Sequence, residues 1–452
     1  MERSSRYSRS KKILFYALLA FLLYLAVGGG GIFLFLAPPS TGYEANPYRF
    51  YSEHLGPDRL VIVEERVDGA VARINLLENA QSSIDIAYYA VHDGISSDIF
   101  YGLLVEAAER GVTVRLLLDG IFHNLRGGQR STLQALLSHP NITVAFYEPL
   151  NLLQPWTLNN RLHDKIMIID GKYALIGGRN IGDKYYVEKY DKPVVKDRDV
   201  LIINEIRDET SVLREFERYF SSLFSHHYTK HTPSASGEYA WLIEGVEQNR
   251  AIYPARFIDP IDWISISHPT NAISLVTNPI TRMKKEPTLL MELLSLFSLA
   301  QDAILIQSPY IIPTGHMNQY YRGIGVTPMV LTNSAAASPN PFAAAGYLSI
   351  RRSLDSRYEY YGDGSIHAKT YIVDSRISVV GSFNLDSRSS FLSTESVVVI
   401  DSEPVAEALT AHIAALGEQS LADQPALYNM PFWKKPITWV MRLLIYPFHP
   451  LL

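Results

Sequence analysis

The sequence predicts an α/β protein made of two similar halves that follow an N-terminal transmembrane helix. Three observations support this fold class. Short apolar runs alternate with stretches of helical periodicity along most of the 452 residues. A motif containing histidine, lysine and aspartate occurs twice, at an offset of 204 residues. A run of 25 residues without charge, residues 13–37, precedes both halves.

Composition narrows the classes of function. The chain has no cysteine, which excludes a disulfide framework, a thiol nucleophile and cysteine-ligated metal sites. Its net charge of −5 is unevenly distributed, because residues 1–12 carry five Lys and Arg residues against one Glu. The rest of the chain is therefore acidic and matches nucleic acid poorly. We expect no nucleic-acid partner.

The uncharged run at residues 13–37 is long enough to cross a hydrocarbon core of about 30 Å as a helix. The basic tip, residues 1–12, would remain in the cytoplasm, so the body would lie on the extracytoplasmic side. A cleaved signal peptide and a buried helix are the alternatives. The run exceeds a usual signal core, and Pro38-Pro39 makes a poor cleavage site, which favours a retained single-pass anchor.

Behind the anchor, helical and strand patterns alternate in both halves. The first half predicts helices over 70–81 and 99–110 and strands over 83–91 and 112–118, and the second half a helix over 289–299 and strands over 303–307 and 329–331. A repeat near 200 residues indicates a duplicated domain. The predicted divisions are a linker at 38–57, a first lobe at 58–230, an inter-lobe connection at 231–270, a second lobe at 271–430 and an amphipathic C-terminal segment at 431–452.

The repeated motif is the segment most informative about chemistry. It reads R-L-H-D-K-I-M-I-I-D-G-K-Y-A-L-I-G-G-R-N at 161–180 and S-I-H-A-K-T-Y-I-V-D-S-R-I-S-V-V-G-S-F-N at 365–384. Residues i and i+2 of a strand share a face, so His163 and Lys165 point the same way. The same spacing relates His367 to Lys369. Each motif therefore predicts a β-hairpin that presents an imidazole and an ammonium together.

The remaining motif positions have different expected roles. Asp170 and Asp374 fall at the opposite parity, so we expect them to brace the hairpin turns. At the end of the return strand the backbone of Gly178 and Ser382 can approach a ligand closely, and the amides of Asn180 and Asn384 can donate to it.

If the two halves pack face to face, two imidazoles, two ammoniums and two amides converge on one point. Such a set is rich in donors and suits a phosphate. One neutral histidine can attack phosphorus while the other, protonated, gives a proton to the leaving oxygen. Because the lysines supply positive charge, we expect no metal and no cofactor.

The duplicated H-x-K-x4-D motif, followed by G-[GS]-x-N, resembles the phospholipase D superfamily. The resemblance implies two α/β/α lobes related by a pseudo-twofold axis and a covalent phosphohistidine intermediate. It also implies a downstream carboxylate that orients each histidine. Glu395, 28 residues after His367, fits that role in the second half. In the first half Asp199 is the candidate, 36 residues after His163, with Asp197 as its competitor.

Within that superfamily, the segments A-Y-Y-A-V-H-D-G (87–94), G-G-R-N-I-G-D-K-Y-Y (177–186) and Q-S-P-Y-I-I-P (307–313) are similar to bacterial cardiolipin synthases. This similarity implies a phosphatidyltransferase of the bacterial inner membrane that makes cardiolipin from phosphatidylglycerol and a donor phospholipid, for which phosphatidylethanolamine is a candidate. Tyr89, His92 and Tyr310 stand at predicted strand ends and are candidate pocket residues. Hydrolysis by a phospholipase D, a phosphodiesterase acting on nucleic acid and a non-enzymatic scaffold are the alternatives.

The C-terminal segment, 431–452, mixes Trp433 and Trp439 with Lys434, Lys435 and Arg442. Aromatic side chains beside cations suit the headgroup region of a membrane. A terminal helix docked on the body would show the same pattern, so both interpretations stay open.

Overall fold

The computed structural model describes residues 2–40, 42–188, 190–321, 323–422 and 424–452, with the side chains of all of these except residues 2–10 and residue 446. The charged side chains of the predicted basic tip, Arg3, Arg6 and Arg9, therefore lie outside the described residues.

The N-terminal helix is continuous with the body of the protein. Helix α1 (Glu2–Ala26) passes through a π-helical turn (Val27–Gly31) into α2 (Ile32–Phe35). Within it, the 25 residues from Lys11 to Phe35 are long and apolar enough to cross a membrane. Only the last part is buried: Gly28 lies so close to Pro155 that a Cβ atom there would come within 2.6 Å of the proline ring. Phe33 is fully buried.

The segment predicted as a linker, residues 38–57, is fixed to the second half of the protein. Its 3-10 turn (Pro47–Phe50) buries Phe50 in the same apolar cluster as Val399. Beyond the turn, the backbone N–H of Ser52 donates to Asp401 over 2.8 Å. Beyond the N-terminal helix, the described residues around Phe50 and Ser52 therefore pack on the body.

The first lobe is built on a nine-stranded sheet in the order β10-β1-β8-β6-β5-β2-β3-β4-β9. In chain order its elements, together with the short strand β7, are β1 (Arg59–Val63), α3 (Arg66–Glu78), β2 (Ser83–Tyr88), α4 (Ile95–Glu109), β3 (Thr113–Asp119), α5 (Arg130–Ser138), β4 (Ile142–Tyr147), β5 (Lys165–Ile169), β6 (Tyr173–Gly177), α6 (Asp183–Tyr186), β7 (Val195–Lys196), β8 (Asp199–Ile203), α7 (Leu213–Phe224), β9 (Thr229–His231), α8 (Ala240–Ile252) and β10 (His268–Pro269).

The second lobe has an eight-stranded sheet in the order β11-β20-β18-β17-β12-β14-β15-β21. Its elements, with the short strands β13, β16 and β19, are β11 (Ala272–Thr277), α9 (Thr288–Leu299), β12 (Ile304–Gln307), β13 (Ile311–Ile312), α10 (Gly315–Asn318), β14 (Met329–Asn333), α11 (Pro341–Ile350), β15 (Arg357–Tyr360), β16 (Ser365–Ile366), β17 (Thr370–Val373), β18 (Ile377–Gly381), β19 (Leu385–Asp386), α12 (Ser387–Phe391), β20 (Ser396–Asp401), α13 (Glu403–Gly417), β21 (Ser420–Leu421) and α14 (Lys434–Ile445).

The two sheets repeat one topology. The order β1-β8-β6-β5-β2-β3-β4 corresponds strand by strand to β11-β20-β18-β17-β12-β14-β15. Helices α7 and α13 lie in a shared apolar layer between the sheets, where Phe216 and Leu409 belong to one cluster. Other helices cover the outer faces, α3 and α4 in the first lobe and α9 in the second. The predicted pair of α/β/α lobes is therefore confirmed.

Part of the predicted inter-lobe connection, 231–270, packs on the first lobe. Helix α8 lies on α4 so closely that a Cβ at Gly102 would overlap Val246. Strand β10 adds to the edge of the first sheet by pairing with β1.

Helix α14 docks one face on the body and exposes the other. Thr438 is buried and its hydroxyl lies 3.5 Å from the sulfur of Met430. Trp433, Ile437, Val440 and Leu444 recur at helical spacing and are each more than half exposed. The interpretation as a docked terminal helix therefore holds for one face, and contact of the exposed face with a membrane stays a prediction.

Candidate active site

The first histidine is held where the two lobes meet. Leu162 forms a β-bridge with Thr394 of the second lobe. The backbone N–H of His163 donates to the hydroxyl of Thr394 over 3.1 Å. Strand β5 begins at Lys165, whose ammonium donates back to the carbonyl oxygen of His163. The imidazole is 16% exposed, and that exposed part faces a cavity between the lobes.

The second histidine is held in the mirrored way. Strands β7 and β16 pair across the lobes, and the N–H of His367 donates to the carbonyl oxygen of Lys196 over 2.7 Å. The ammonium of Lys369 donates to the carbonyl oxygen of His367 and lies 3.0 Å from its Nδ1. Both copies of the motif therefore place imidazole and lysine together, as the strand parity predicts.

Each histidine is oriented by a carboxylate from the opposite lobe. Nδ1 of His163 lies 2.9 Å from Oε2 of Glu395, and Nδ1 of His367 lies 2.6 Å from Oδ2 of Asp197. The expectation that Glu395 orients His367 is wrong, because the strands that follow these carboxylates start at the lobe interface. There the nearer imidazole belongs to the other half.

The expectation that Asp199 orients His163 is also wrong. Asp199 is completely buried and forms ion pairs with Arg73 and Arg179, at 2.9 and 3.0 Å. Strand register explains the difference. Asp199 pairs with Gly177 as Val397 pairs with Gly381, so Asp199 lies two residues beyond the position equivalent to Glu395. Asp197, the competitor, occupies that equivalent position.

Asp170 and Asp374 lie at the far ends of the hairpins. The carboxylate of Asp170 accepts hydrogen bonds from the backbone N–H groups of Gln81, Ser82 and Ser83, over 2.7 to 2.9 Å. The carboxylate of Asp374 makes the same bonds to residues 301–303. Both aspartates adopt positive φ, 56° and 50°, at the tight turn. They brace turns and contact no histidine.

Gly178 and Ser382 contact the carboxylates instead of lining the cavity. A Cβ at Gly178 would come within 2.2 Å of Asp197, so glycine leaves room for that carboxylate. The hydroxyl of Ser382 donates to Oε2 of Glu395 over 2.5 Å. The backbone N–H groups of both residues already donate within the sheets, to Arg198 and to residue 396. These two N–H groups are therefore already engaged in backbone hydrogen bonds, and a close approach of either residue to a ligand stays a prediction.

Asn180 and Asn384 line the cavity between the histidines. The amide nitrogen of Asn180 lies 3.2 Å from the hydroxyl of Tyr185, and that of Asn384 lies 3.4 Å from the hydroxyl of Ser389. The Oδ1 atom of each asparagine is buried without a hydrogen-bond partner. These amides retain capacity for further hydrogen bonds at the site.

The cavity has a volume of about 410 Å³. Tyr89 and Tyr310 line it as expected, and the Tyr89 ring lies 4.9 Å from that of His163. His92 does not line it: its ring stacks on Tyr185 at 6.3 Å, and Tyr185 in turn faces His367. His92 therefore supports a wall of the site from behind.

Three charged lining residues were not anticipated from the sequence: Arg161, Asp386 and Arg388. Arg388 stands four residues after Asn384, and Arg161 two residues before His163. Their position next to the motifs could have identified them as candidates. This evidence is weak, because charged residues are common next to any motif.

Burial sets the protonation of the histidines. It lowers the pKa of His163 well below its usual range, with Lys165 adding to the effect, and it lowers the pKa of His367 to about 3 together with Lys369. In the empty cavity burial therefore favours the neutral form of both imidazoles, whereas the negative charge of a bound phosphodiester would favour the protonated form.

The two carboxyl groups differ. Burial raises the pKa of Glu395 to about 8, against the opposing effect of Lys165. Burial acts in the same direction on Asp197, but the contacts with His367 and Lys369 outweigh it and lower its pKa below the usual range. Asp197 is therefore the more strongly anionic partner.

The lysines are also buried, which lowers the pKa of Lys165 to about 7 and that of Lys369 to about 8. An anion bound between the histidines would favour the charged form of both lysines. Among the described residues, no group of three or more histidine, aspartate or glutamate side chains is placed to hold a metal ion.

The arrangement can bind a tetrahedral phosphate between two imidazoles, with lysine and asparagine donors around its oxygens. Nδ1 of each imidazole is occupied by a carboxyl group, which leaves Nε2 to face the cavity. This geometry suits nucleophilic attack from one side and proton transfer from the other.

A family model described as "Cardiolipin synthase, PLD-like domain" matches residues 74–224 and 293–416. Cardiolipin synthase C of Escherichia coli (strain K12) is 30% identical over 445 residues, which cover 86% of this chain and 90% of that protein. Cardiolipin synthase 1 of Bacillus anthracis is 26% identical, over 74% of this chain and 61% of its own length.

Among solved structures, the phosphatidylserine synthase of Haemophilus influenzae Rd KW20 is similar in fold, with a TM-score of 0.60 at 15% sequence identity. The similarity covers 87% of this chain and 95% of that one. It supports the two-lobed architecture.

Proposed function

Since this chain belongs to the phospholipase D-like cardiolipin synthase family, we propose that it is a membrane-anchored phosphatidyltransferase that makes cardiolipin. A phosphatidyl group passes from a donor phospholipid to phosphatidylglycerol through a phosphohistidine. The observation that carries the proposal is the pair of histidines at one cavity, each bound at Nδ1 by a carboxyl group of the other lobe.

In the first half-reaction, Nε2 of His163 attacks the phosphorus of the donor phosphodiester. A phosphorus–nitrogen bond forms and the bond from phosphorus to the headgroup oxygen breaks. Protonated His367 gives its Nε2 proton to that oxygen, and the headgroup alcohol leaves. Lys165 and Lys369 stabilise the charge that develops on the non-bridging oxygens.

In the second half-reaction, His367 is neutral and takes a proton from a hydroxyl of phosphatidylglycerol. The hydroxyl oxygen attacks phosphorus, the bond to His163 breaks, and cardiolipin leaves. His367 is then protonated again for the next donor, so every proton is accounted for within the pair.

The difference in pKa between the two carboxyl groups supports this assignment of roles to the histidines. Asp197 is the more strongly anionic, so it stabilises the imidazolium that a general acid requires, and His367 is its partner. His163 has Glu395, whose pKa burial raises to about 8, and it gains less stabilisation when protonated. It is therefore the better candidate for the neutral nucleophile.

A lipid substrate is supported by the cavity rim. Phe122, Leu158, Ile312 and Leu452 line the cavity together with its polar groups. The anchor packs nearby, since the amide of Asn159 donates to the carbonyl oxygen of Gly29 over 2.6 Å. We infer that the cavity lies next to the membrane surface, at the inner membrane, with the body of the protein on the extracytoplasmic side.

Product analysis tests the proposed reaction. Purified full-length protein is incubated with defined phospholipids, with phosphatidylethanolamine and phosphatidylglycerol as candidate donors, and the products are identified by mass. Cardiolipin together with the free headgroup alcohol is expected. Phosphatidic acid without cardiolipin would identify a hydrolase and contradict the proposal.

Trapping the intermediate tests the histidine roles. With a donor labelled in its phosphatidyl group, denatured His163→Ala should carry no label. His367→Gln should still form some labelled enzyme, because the nucleophile is intact. The reverse pattern would exchange the two roles.

A further inference from the structure

Arg388, a cation of the cavity wall, contacts no carboxylate among the residues that the structure describes. The guanidinium of Arg388 contacts two neutral oxygens: Nε donates to the carbonyl oxygen of Leu451 over 3.0 Å, and Nη2 to Oδ1 of Asn159 over 3.2 Å. Within the described part of the chain, no carboxylate lies within ion-pair distance of it. Asp386 faces the same cavity but is hydrogen-bonded to the backbone of Ser389.

Other enclosed arginines near the site are neutralised. Arg161, which also lines the cavity, lies 3.3 Å from Asp119. Arg198 lies 2.5 Å from Glu64. The Arg388 side chain is partly buried, and burial lowers its pKa against the opposing effect of Asp386, which does not contact the guanidinium. A cation of this kind in the wall of a cavity indicates a binding site for an anion.

The two halves differ at this position. At the 204-residue offset, Lys184 corresponds to Arg388. Lys184 lies outside the cavity, with its ammonium 5.1 Å from the centre of the Tyr185 ring. The extra positive charge of the cavity therefore comes from the second lobe alone. The pseudo-twofold relation explains a site for one reacting phosphate but not this additional cation.

We propose that Arg388 binds the phosphodiester that the acceptor lipid already carries, and so selects an acceptor alcohol attached to an anionic headgroup. This inference rests on the proposed function. In the proposed reaction the phosphate of the donor lies between the histidines, and the two lysines stabilise the charge on its oxygens. The acceptor brings a second phosphate into the same cavity, and a guanidinium fork suits it.

The kinetic test compares two acceptors with one donor. Purified full-length enzyme transfers the phosphatidyl group either to phosphatidylglycerol or to free glycerol, which has hydroxyls but no charge. Arg388→Gln should raise the KM for phosphatidylglycerol by about 10- to 100-fold, the effect of one charged hydrogen bond. The rate with glycerol should change less than about twofold. Arg388→Lys should recover part of the loss, because it restores the charge without the fork.

Two variants serve as controls. Lys184→Gln removes the corresponding charge of the other half and should leave both acceptors unaffected. Asn159→Ala removes a neutral partner of Arg388 and should have a small effect on the preference between acceptors. Equal losses with glycerol and phosphatidylglycerol would overturn the assignment, since Arg388 would then act on the reacting phosphate or on folding. An unchanged KM for phosphatidylglycerol would overturn it as well.

A binding measurement separates this inference from the proposed reaction. In the unreactive His163→Ala background, the dissociation constant of glycerophosphoglycerol is measured with and without Arg388→Gln. A 10- to 100-fold weakening is expected whether the enzyme transfers or hydrolyses. No weakening would refute the subsite even if cardiolipin is the product. Inorganic phosphate is measured in parallel, and a larger loss for phosphate than for the diester would also refute it.

Discussion

Oε2 of Glu395, in the second lobe, lies 2.9 Å from Nδ1 of His163, in the first. In the reciprocal contact, Nδ1 of His367 lies 2.6 Å from Oδ2 of Asp197. Each histidine of the cavity therefore takes its carboxylate partner from the other lobe. The interface between the lobes is a part of the chemistry and not only of the fold.

Two aspartates that are two residues apart should give opposite phenotypes. Asp197→Asn removes the charge that stabilises the His367 imidazolium, so kcat should fall about 10- to 100-fold, and the loss of melting temperature should be smaller than with Asp199→Asn. Asp199→Asn leaves Arg73 and Arg179 without their buried carboxylate and should cost about 3–5 kcal/mol of stability. Activity assays and thermal unfolding in detergent check both. Similar effects of the two variants would contradict the assignment.

The rate should depend on pH through Glu395. Its carboxylate must be ionised to accept the Nδ1 proton of His163 and leave Nε2 free to attack. Because burial raises the pKa of Glu395 to about 8, kcat/KM should fall as the pH decreases below about 8. Glu395→Gln should abolish this limb and lower the rate at pH 8. Glu407→Gln, an exposed change on α13, is the matched control. A flat profile between pH 6 and 8 in the unmodified enzyme would argue against the role.

Packing of the anchor on the body should tolerate no side chain at Gly28. Gly28→Ala would bring a Cβ within 2.6 Å of the Pro155 ring, so the π-helical turn must shift, at a cost of about 1–3 kcal/mol. Gly31→Ala, where the nearest atom is 3.8 Å away, should be neutral. Thermal unfolding in detergent compares the two. Equal stability would indicate that the anchor is not docked as described.

The exposed face of α14 should contact lipid. Leu443 and Leu444 are 62% and 66% exposed beside Arg442. Leu444→Asp should reduce turnover on vesicles several-fold and leave turnover of short-chain, monomeric lipids nearly unchanged. A matched loss on both substrates would point to a defect in folding. The exposed polar variant Glu244→Gln, on α8, serves as a control.

The orientation of the protein in the membrane can be measured by cysteine labelling, because the chain has no native cysteine. Glu244→Cys, on the exposed surface of α8, should react with a membrane-impermeant thiol reagent added to intact cells. Ser10→Cys, in the basic N-terminal segment, should react only after permeabilisation. Protection of the first site in intact cells would place the body in the cytoplasm.

Local relationships were predictable from sequence. The spacing of His163 and Lys165 requires only that the strand alternate, and the opposite parity of Asp170 places it at the turn. Both hold in the structure. Helix and strand positions agree with the periodicity to within a few residues, as in α3 and β2.

The carboxylate partners of the two histidines could not be predicted from residue spacing alone. The segment between Asn180 and β8 is longer than its counterpart after Asn384, so counting residues from each histidine aligns the wrong aspartate. Strand register identifies the right one. The amide of Gly178 bonds to the residue after Asp197, just as that of Ser382 bonds to the residue after Glu395. Which carboxylate contacts which histidine then depends on how the two lobes pack together, and a local sequence pattern contains no information about that packing.

The hydrogen bond from Asn159 to Gly29 links the anchor to the wall of the cavity, through a side chain that also contacts Arg388. An enzyme held in this way meets its substrates in two dimensions. Their effective concentration is a mole fraction in the bilayer, and adding inert lipid should slow the reaction at constant total substrate. Under the proposed function, lateral diffusion would supply the substrates and remove the product, so we expect the rate of synthesis to depend on the composition of the surrounding membrane.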